Sequence, residues 1–189
     1  MPNTPSIPHP VIRRLWPHDG PAVEAYLLRL DPETRASRFM GALSDPAAVA
    51  YARRAMRAEG LMFGGFVDGT LRALGELRPT GQPCTGLRLG AQAEAAFAVE
   101  RAYRRNGLGQ ALFRRIAAAA RNRGVRDLHV RCLPWNRPMR ELAAKVGADL
   151  RIRDGEADGA LHLARPTPAS LWQESVTEAC DITLALTAA

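Results

Sequence analysis

The sequence predicts one α/β domain built on a mixed sheet with helices on both faces. Three observations lead to this fold class. Two apolar runs, 61–67 and 71–77, flank an Asp-Gly turn and predict an antiparallel hairpin. Further along, two strand-like segments are separated by a long helical pattern, which indicates a parallel crossover. The length of 189 residues suits one domain with a sizeable core.

Each element is predicted from a periodicity and from the residues that begin or end it. Apolar positions three or four residues apart mark helices, and short apolar runs bounded by proline or glycine mark strands. Asp19 and Asp45 can cap helices, and Gly124 can end one. The predicted elements in chain order are strand 11–16, a helix after Asp19, a helix after Asp45, hairpin 61–77, loop 79–90, strand 95–99, a helix from Leu108 to Gly124, strand 128–133, a helix through Met139 and Val146, hairpin 150–163, and a helix from Thr167 to about Leu186.

The chain is predicted to divide into a flexible proline-rich arm at 1–10, a folded domain at 11–166 and a helical extension at 167–189. The extension is acidic, and its apolar residues recur at near-helical spacing. They are Leu171, Trp172, Val176, Ala179, Cys180 and Leu184. An isolated helix is marginal in water, so this stripe is expected to be buried. We favour burial against the same domain, because the link through Arg165 and Pro166 is short. Burial against a second subunit stays open, so the protein is a monomer or a homodimer.

The charge distribution favours an anionic partner. The net charge is +7, and nine arginines with a single acid lie between Arg101 and Arg131. A nucleic-acid-binding module is the natural alternative for so basic a chain. The low aromatic content of 6% and the clustering of the arginines around one loop argue against it.

Other classes of protein are excluded by what the sequence lacks. The three cysteines, Cys84, Cys132 and Cys180, form no CxxC pair, so we expect reduced thiols and no metal site. No apolar run is long enough to span a bilayer, and the N-terminus lacks the order of a signal peptide. We therefore expect a cytoplasmic protein without a membrane partner.

A glycine-punctuated, arginine-rich loop lies between the strand at 95–99 and the long helix. Strand end and loop read F-A-V-E-R-A-Y-R-R-N-G-L-G from Phe97 to Gly109. Glycines let successive N–H groups converge, and the helix N-terminus adds unpaired donors and a positive dipole end. The Gly-Lys-Ser/Thr of a P-loop is missing, and Leu112 stands where a dinucleotide fingerprint needs glycine. The loop is predicted to bind another phosphate-bearing ligand.

The Arg-x-x-Gly-x-Gly pattern at 104–109 resembles the acyl-CoA pyrophosphate signature of the GNAT N-acetyltransferase superfamily. The resemblance covers roughly 11–165. It implies a GNAT fold whose mixed, mostly antiparallel sheet splays between its two parallel strands. It also implies direct transfer of an acetyl group from acetyl-CoA to a primary amine of a protein lysine or a small molecule. The cofactor-binding residues that it implies are Phe97, Ala98, Val99, Arg104, Arg105, Asn106, Gly107, Leu108, Gly109, Gln110 and Asn136.

The candidate catalytic residues are two glutamates. An amine must lose its ammonium proton before it attacks, so a carboxylate near the thioester is useful. Glu94 is similar to a glutamate that bacterial protein lysine acetyltransferases use as a base, usually in an Ala-Glu-Phe-Ala context, although Ala95 follows it here. Glu76 is the rival, because its strand should neighbour that of Glu94. Glu100 is less suited, because it is nearest the pyrophosphate loop.

The sequence departs from the family pattern in the helix after Asn136. Ala143 occupies the position where many members have a tyrosine that protonates the leaving thiolate, and Ala148 replaces a common phenylalanine. A catalytically degenerate, CoA-binding regulatory protein therefore stays open as an alternative. The segment 32–43, with Arg38 and Phe39, resembles the variable acceptor region of the family. His129 and Cys132 are expected to be packed strand residues.

Overall fold

The computed structural model describes residues 10–81, 88–153 and 156–187. Its strands are β1 (Val11–Arg14), β2 (Leu61–Val67), β3 (Thr70–Pro79), β4 (Gln92–Val99), β5 (Asp127–Cys132), β6 (Asp149–Arg153) and β7 (Glu156–His162). Its α-helices are α1 (Gly20–Arg29), α2 (Pro32–Phe39), α3 (Asp45–Ala55), α4 (Leu108–Asn122), α5 (Arg137–Lys145) and α6 (Pro168–Thr187). Short 3₁₀ turns precede α1 and follow β4, at Pro17–Asp19 and Arg101–Tyr103.

The described strands form one sheet in the order β1-β2-β3-β4-β5-β7-β6. Neighbouring strands are antiparallel except for β4 and β5, which run parallel and are joined through α4. The predicted α/β class, with a mixed and mostly antiparallel sheet and an added C-terminal helix, is therefore confirmed.

Two apolar cores lie on opposite faces of the sheet. Met62 and Phe63 are adjacent in β2 and belong to different cores, as the alternation of side chains along a strand requires. Tyr26 of α1 and Ala52 of α3 lie in the core with Met62, and Ile116 of α4 lies in the core with Phe63. Helices therefore cover both faces.

Glycines in β2 and β3 let α4 approach the sheet closely. A Cβ atom on Gly75 would lie 2.6 Å from Cδ1 of Ile116, and one on Gly65 would lie 2.8 Å from Cδ1 of Leu108. A larger side chain at either position would therefore have to displace these packed side chains of α4. The N-terminus of α4 is thereby held beside the end of β4.

The C-terminal helix α6 packs on α4 and β1 of the same chain, but the face that it buries is polar. The buried residues of α6 are Ser170, Glu174, Asp181 and Ala185. Glu174 accepts hydrogen bonds from Arg115 and Arg123, and the backbone N–H of Arg14 donates to Asp181 at 2.9 Å. The expectation that the apolar stripe would be buried on this domain is wrong. Because arginines of α4 and β1 bind the acidic side chains of α6, the apolar stripe of α6 faces outward.

Several element boundaries differ from the prediction. β4 begins at Gln92, because its first residues already pair with β3 and β5. β1 ends at Arg14, because Pro17 begins a 3₁₀ turn. The second strand of the last hairpin, β7, begins at Glu156, and Gly159 lies inside it, paired with Val130. The predicted arm at 1–10, loop 79–90 and Cys84 fall wholly or partly outside the described residues.

Candidate functional site

The loop between β4 and α4 has an unusual backbone. Arg105 has a φ of 65°, a conformation that costs energy for a residue with a side chain. Gly107, the N-cap of α4, has a φ of 79°, which glycine adopts freely. The N–H of Ala111 makes the first helical bond of α4, to Gly107 O at 2.9 Å. The amides of Leu108, Gly109 and Gln110 therefore belong to the first turn, where N–H groups have no helical acceptor and attract anions.

The side chain of Arg104 holds this loop in place. Its Nε donates to the carbonyl of Val99 at 3.1 Å, and its Nη2 donates to Oγ1 of Thr34 at 2.5 Å. Thr34 is itself bonded to Asp31, the N-cap of α2. The guanidinium thus links the loop to the end of β4 and the start of α2.

β4 and β5 separate before β4 ends. Their paired register stops at Ala95 and Val130, whereas β4 continues to Val99. The N–H of Glu100 donates to Arg72 O on the β3 side. Since backbone groups alternate in direction along a strand, the N–H and C=O of Phe97 face the opposite side, toward the gap. A gap with a strand edge on one side can accept an extended ligand arm.

Packing fixes the gap relative to the loop. The rings of Phe97 and Phe113 lie edge to face at 5.7 Å, which joins β4 to the first turns of α4. A Cβ atom on Gly109 would lie 3.5 Å from Val99 and 3.7 Å from Leu142, so α4 also lies close to α5. On the other face, the Tyr26 hydroxyl donates to Ala98 O at 2.7 Å. The gap-lining end of β4 is therefore held from both faces of the sheet.

Glu94 lies on β4 next to the start of this gap. It is opposite Arg78 on β3 and opposite His129 on β5. Its Oε2 accepts a hydrogen bond of 2.9 Å from Arg131, and its side chain is 29% exposed. Glu94 is thus partly accessible, with an exposed arginine beside it.

Glu76 lies on the same sheet face but is buried among other side chains. Its carboxylate accepts hydrogen bonds from Arg38 of α2 at 2.5 Å, from Tyr51 of α3 at 2.8 Å and from Arg78 at 3.0 Å. Burial alone would raise the pKa of Glu76, but the charges of Arg38 and Arg78 and the Tyr51 hydroxyl outweigh burial and lower that pKa. A carboxylate held so firmly in its ionised form is a poor proton acceptor.

Glu100, the third glutamate of the region, joins elements together. Its oxygens accept hydrogen bonds from Arg29 of α1 at 3.0 Å and from Arg72 of β3 at 2.9 Å. Arg72 in turn lies over the ring of Tyr103, 4.8 Å from its centroid. These contacts fix the start of the loop, in agreement with the expectation that Glu100 lies nearest it.

The helix after β5 begins at Asn136. Its Oδ1 accepts a hydrogen bond of 3.3 Å from the N–H of Met139, so Asn136 is the N-cap of α5. Ala143 of α5 and Ala148 after it are buried. Cys132 is buried at the end of β5, and burial raises the pKa of its thiol.

The sequence did not single out the partners that immobilise these residues. Arg131, which contacts Glu94, and Tyr26, which contacts Ala98, are distant in sequence from the residues they bind. The positive charge of Arg131 is visible in the sequence, but its contact with Glu94 depends on the register of β4 and β5. Tyr51 lies in a helix that carries no recognisable motif, so the sequence does not indicate its contact with Glu76.

Within the described residues, no cluster of three or more His, Cys, Asp and Glu side chains could hold a metal ion. No helix in that part of the chain combines the length and apolar character needed to cross a membrane.

A mixed sheet that opens between two parallel strands, leading to an anion-binding helix start, is the architecture of acyl-CoA-dependent transferases. The family model of the acetyltransferase (GNAT) family matches residues 15–148, more than half of the chain. This chain belongs to the GNAT acetyltransferase family, which uses acetyl-CoA. Among curated proteins, none matches the chain.

Solved structures share this fold at low sequence identity. The GNAT domain of S. lividans PAT is 24% identical, with a TM-score of 0.70 over 80% of this chain and 89% of that one. yncA of Salmonella typhimurium, solved with its cofactor acetyl-CoA, is 15% identical, with a TM-score of 0.60 over 85% and 97%. A ribosomal-protein-alanine N-acetyltransferase from Brucella melitensis is 16% identical, with a TM-score of 0.59 over 81% and 99%. The predicted GNAT resemblance is confirmed.

Proposed function

We propose that this protein is an N-acetyltransferase that moves the acetyl group of acetyl-CoA directly to a primary amine. One observation carries the proposal. The gap that opens between β4 and β5 beyond Ala95 and Val130 leads directly to the positive-φ loop at the N-terminus of α4. Acetyl-CoA, when bound, supplies an activated acyl group as a thioester. An extended arm and a pyrophosphate are the two parts of such a ligand that this arrangement suits.

The residues that would hold acetyl-CoA fall into two groups. Phe97, Ala98 and Val99 would line the pantetheine arm, with the backbone of Phe97 as the hydrogen-bonding edge. The backbone amides from Arg105 to Gln110, including those of Asn106 and Gly107, would hold the pyrophosphate, because they surround a helix start. Arg104 would act by positioning the loop, since its side chain is bonded to Val99 and Thr34. Asn136 would act by orienting the start of α5.

We assign the general base to Glu94. It is the partly exposed glutamate of the pair, whereas three side chains surround the carboxylate of Glu76. Glu94 would accept the proton that the ammonium group of the acceptor must lose, directly or through a water. Glu76 would instead hold the side chains of Arg38 and Tyr51 in place, and these two side chains would line the acceptor-binding side of the site.

The acceptor is proposed to be a primary amine, either a protein lysine or a small molecule. Most of the segment 32–43, predicted to shape acceptor choice, forms α2, and Arg38 of that helix reaches Glu76 on the sheet. Acceptor selectivity would therefore depend on side chains of α2 and α3 that line this face.

A second candidate, a CoA-binding regulator without turnover, is favoured by the absence of a proton donor at Ala143. That position is a buried alanine and can protonate no thiolate. In an active enzyme, the leaving thiolate would take its proton from water or from the acceptor.

The experiment that tests the function is free-thiol release from acetyl-CoA in the presence of a panel of amines, lysine peptides and protein extracts. The expected result is thiol release that depends on one acceptor class and is accompanied by acetylated product in mass spectrometry. Acetyl-CoA binding without release for every acceptor would support the regulator. Absence of binding would contradict both.

A further inference from the structure

The outward face of α6 carries no charge along its whole described length. The three acids of the helix point to the body, where Arg14, Arg115 and Arg123 bind them. The segment 167–187 contains no basic residue. A protein with a net charge of +7 thus presents a neutral, partly apolar helix surface about 30 Å long.

The outward residues follow the spacing of a helix–helix seam. They are Trp172, Val176, Ala179, Thr183 and Leu186, separated alternately by four and three residues. Trp172 is 73% exposed and Leu186 is 72% exposed, so the two ends of the seam are the most accessible. A four-three alternation is the period with which one helix packs its side chains against another helix.

The seam is symmetric about its own midpoint. Trp172 and Leu186 each lie seven residues from Ala179, and Val176 and Thr183 flank it. We propose that α6 is a self-association surface, which pairs antiparallel with α6 of a second copy about a two-fold axis at Ala179. In this arrangement Trp172 of one copy lies against Leu186 of the other, and the smallest side chain lies where the helices are closest.

Two features favour a second copy over other occupants. In a two-fold interface each residue near the axis meets its own equivalent, so an uncharged face avoids like-charge contacts. A helix that lies on a membrane surface usually carries lysine or arginine on its polar face, and the polar face of α6 is acidic and already bound by arginines.

Light scattering on the full chain tests the proposal. The wild type should be a dimer at tens of micromolar, and Trp172→Glu combined with Leu186→Glu should give a monomer. Trp135→Glu is the matched control, because Trp135 is 72% exposed on a different surface, and this variant should stay dimeric. Unchanged circular dichroism should accompany the monomer, since the two substituted side chains are mostly exposed. A wild type that is monomeric at 100 µM, a dimer that persists in the double variant, or a monomer that binds phosphatidylcholine vesicles would overturn the proposal.

Disulfide formation tests the antiparallel geometry. In a background with Cys84→Ser and Cys180→Ser, Ala179→Cys should form a covalent dimer on mild oxidation. Val176→Cys should not, because in the antiparallel pair each sulfur atom lies three helical residues, about 4.5 Å, from the axis on opposite sides, beyond the reach of a disulfide. Cross-linking of both variants would indicate parallel helices, and cross-linking of neither would contradict an axis at Ala179.

Discussion

Glu76 and Glu94 share one face of the sheet, yet their surroundings give them different uses. Three side chains from β3, α2 and α3 fix Glu76, whereas Arg131 alone is bonded to Glu94 among the contacts described. The first pattern is that of a structural ion cluster, and the second leaves the Glu94 carboxylate partly exposed.

Glu94→Gln is expected to lower turnover by about 10²-fold or more, with little change in the affinity for acetyl-CoA. The amide cannot accept the proton, but it keeps the shape of the side chain. Steady-state thiol release and calorimetric titration of acetyl-CoA measure the two quantities separately. If Glu76→Gln shows this pattern in place of Glu94→Gln, the base lies on β3.

Glu76→Gln is expected to lower the free energy of unfolding by about 3–5 kcal/mol at pH 7, because it leaves the buried charge of Arg38 without its counter-charge. The pKa of Glu76 is lowered on folding, so its contribution is complete above the unfolded value and is lost as the pH falls through the folded value. Urea denaturation should therefore show a difference in the free energy of unfolding between variant and wild type. This difference should decrease only below pH 4.5, the ordinary pKa of a glutamate. Glu94→Gln, with its exposed partner, should show a much smaller gap at neutral pH.

At the level of single residues, the sequence identifies the candidate catalytic glutamates, but it does not show which of them is buried and ion-paired. Glu76 and Glu94 were both recognised as strand carboxylates, since their spacing from the loop is visible. That Arg38 and Tyr51 would converge on Glu76 depends on how α2 and α3 pack on β3, and no local pattern encodes this packing.

At the scale of elements, the start of α4 is defined by the backbone of Gly107. Gly107→Val should abolish most of the rise in melting temperature that acetyl-CoA causes, because a β-branched residue is strained at a φ of 79°. Gly147→Val is the matched control, with a φ of 80° and equally open surroundings at the far end of α5. Thermal shift assays should show comparable strain in both variants, but loss of the acetyl-CoA response in the first alone. An unchanged response in Gly107→Val would exclude this loop as the binding site.

The attachment of α6 depends on its acids. Glu174→Gln combined with Asp181→Asn keeps side-chain volume but removes the charges that Arg115 binds, so the melting temperature should fall by about 5 °C or more. Glu24→Gln, which loses only an ion pair with the exposed Arg53, should change the melting temperature little. Equal melting temperatures for the double variant and the wild type would mean that α6 is held by other contacts.

Helix α6 illustrates where sequence periodicity misleads. The existence and length of the helix were predicted, because Thr167 and Pro168 begin it and its apolar residues recur. The buried face was assigned to the apolar stripe, since burial of apolar surface usually stabilises a helix. In the structure, arginines on α4 and β1 bind the acidic face of α6, so that face is the buried one. Their alignment with Glu174 and Asp181 depends on how the elements pack.

At the scale of the whole molecule, ion pairs between elements neutralise many of the arginines. Arginines of β1, α1 and α4 are bonded to acids of other elements, as at Arg14, Arg29 and Arg115. The fold class was predictable because hairpin, crossover and loop signals are local. The strand order β5-β7-β6 was not, because it depends on contacts between distant segments.

Acetyl-CoA affinity is expected to fall by about threefold or more between 50 mM and 500 mM NaCl, because exposed cations near the loop are screened. Arg105 and Arg101 are exposed there. Isothermal titration at the two salt concentrations checks this, with the melting temperature of the free protein as the control for folding. A constant affinity would mean that backbone amides alone bind the anion.

The hydrogen bond from the N–H of Arg14 to Asp181 joins positions 167 residues apart. β1 is one of the two edge strands of the described sheet, and this N–H points away from β2. During synthesis, β1 leaves the ribosome long before α6 exists, so its outer edge is open to pairing with another nascent chain until Asp181 arrives. Docking of α6 therefore covers this part of the β1 edge, and it can follow only after the C-terminal helix has been synthesised.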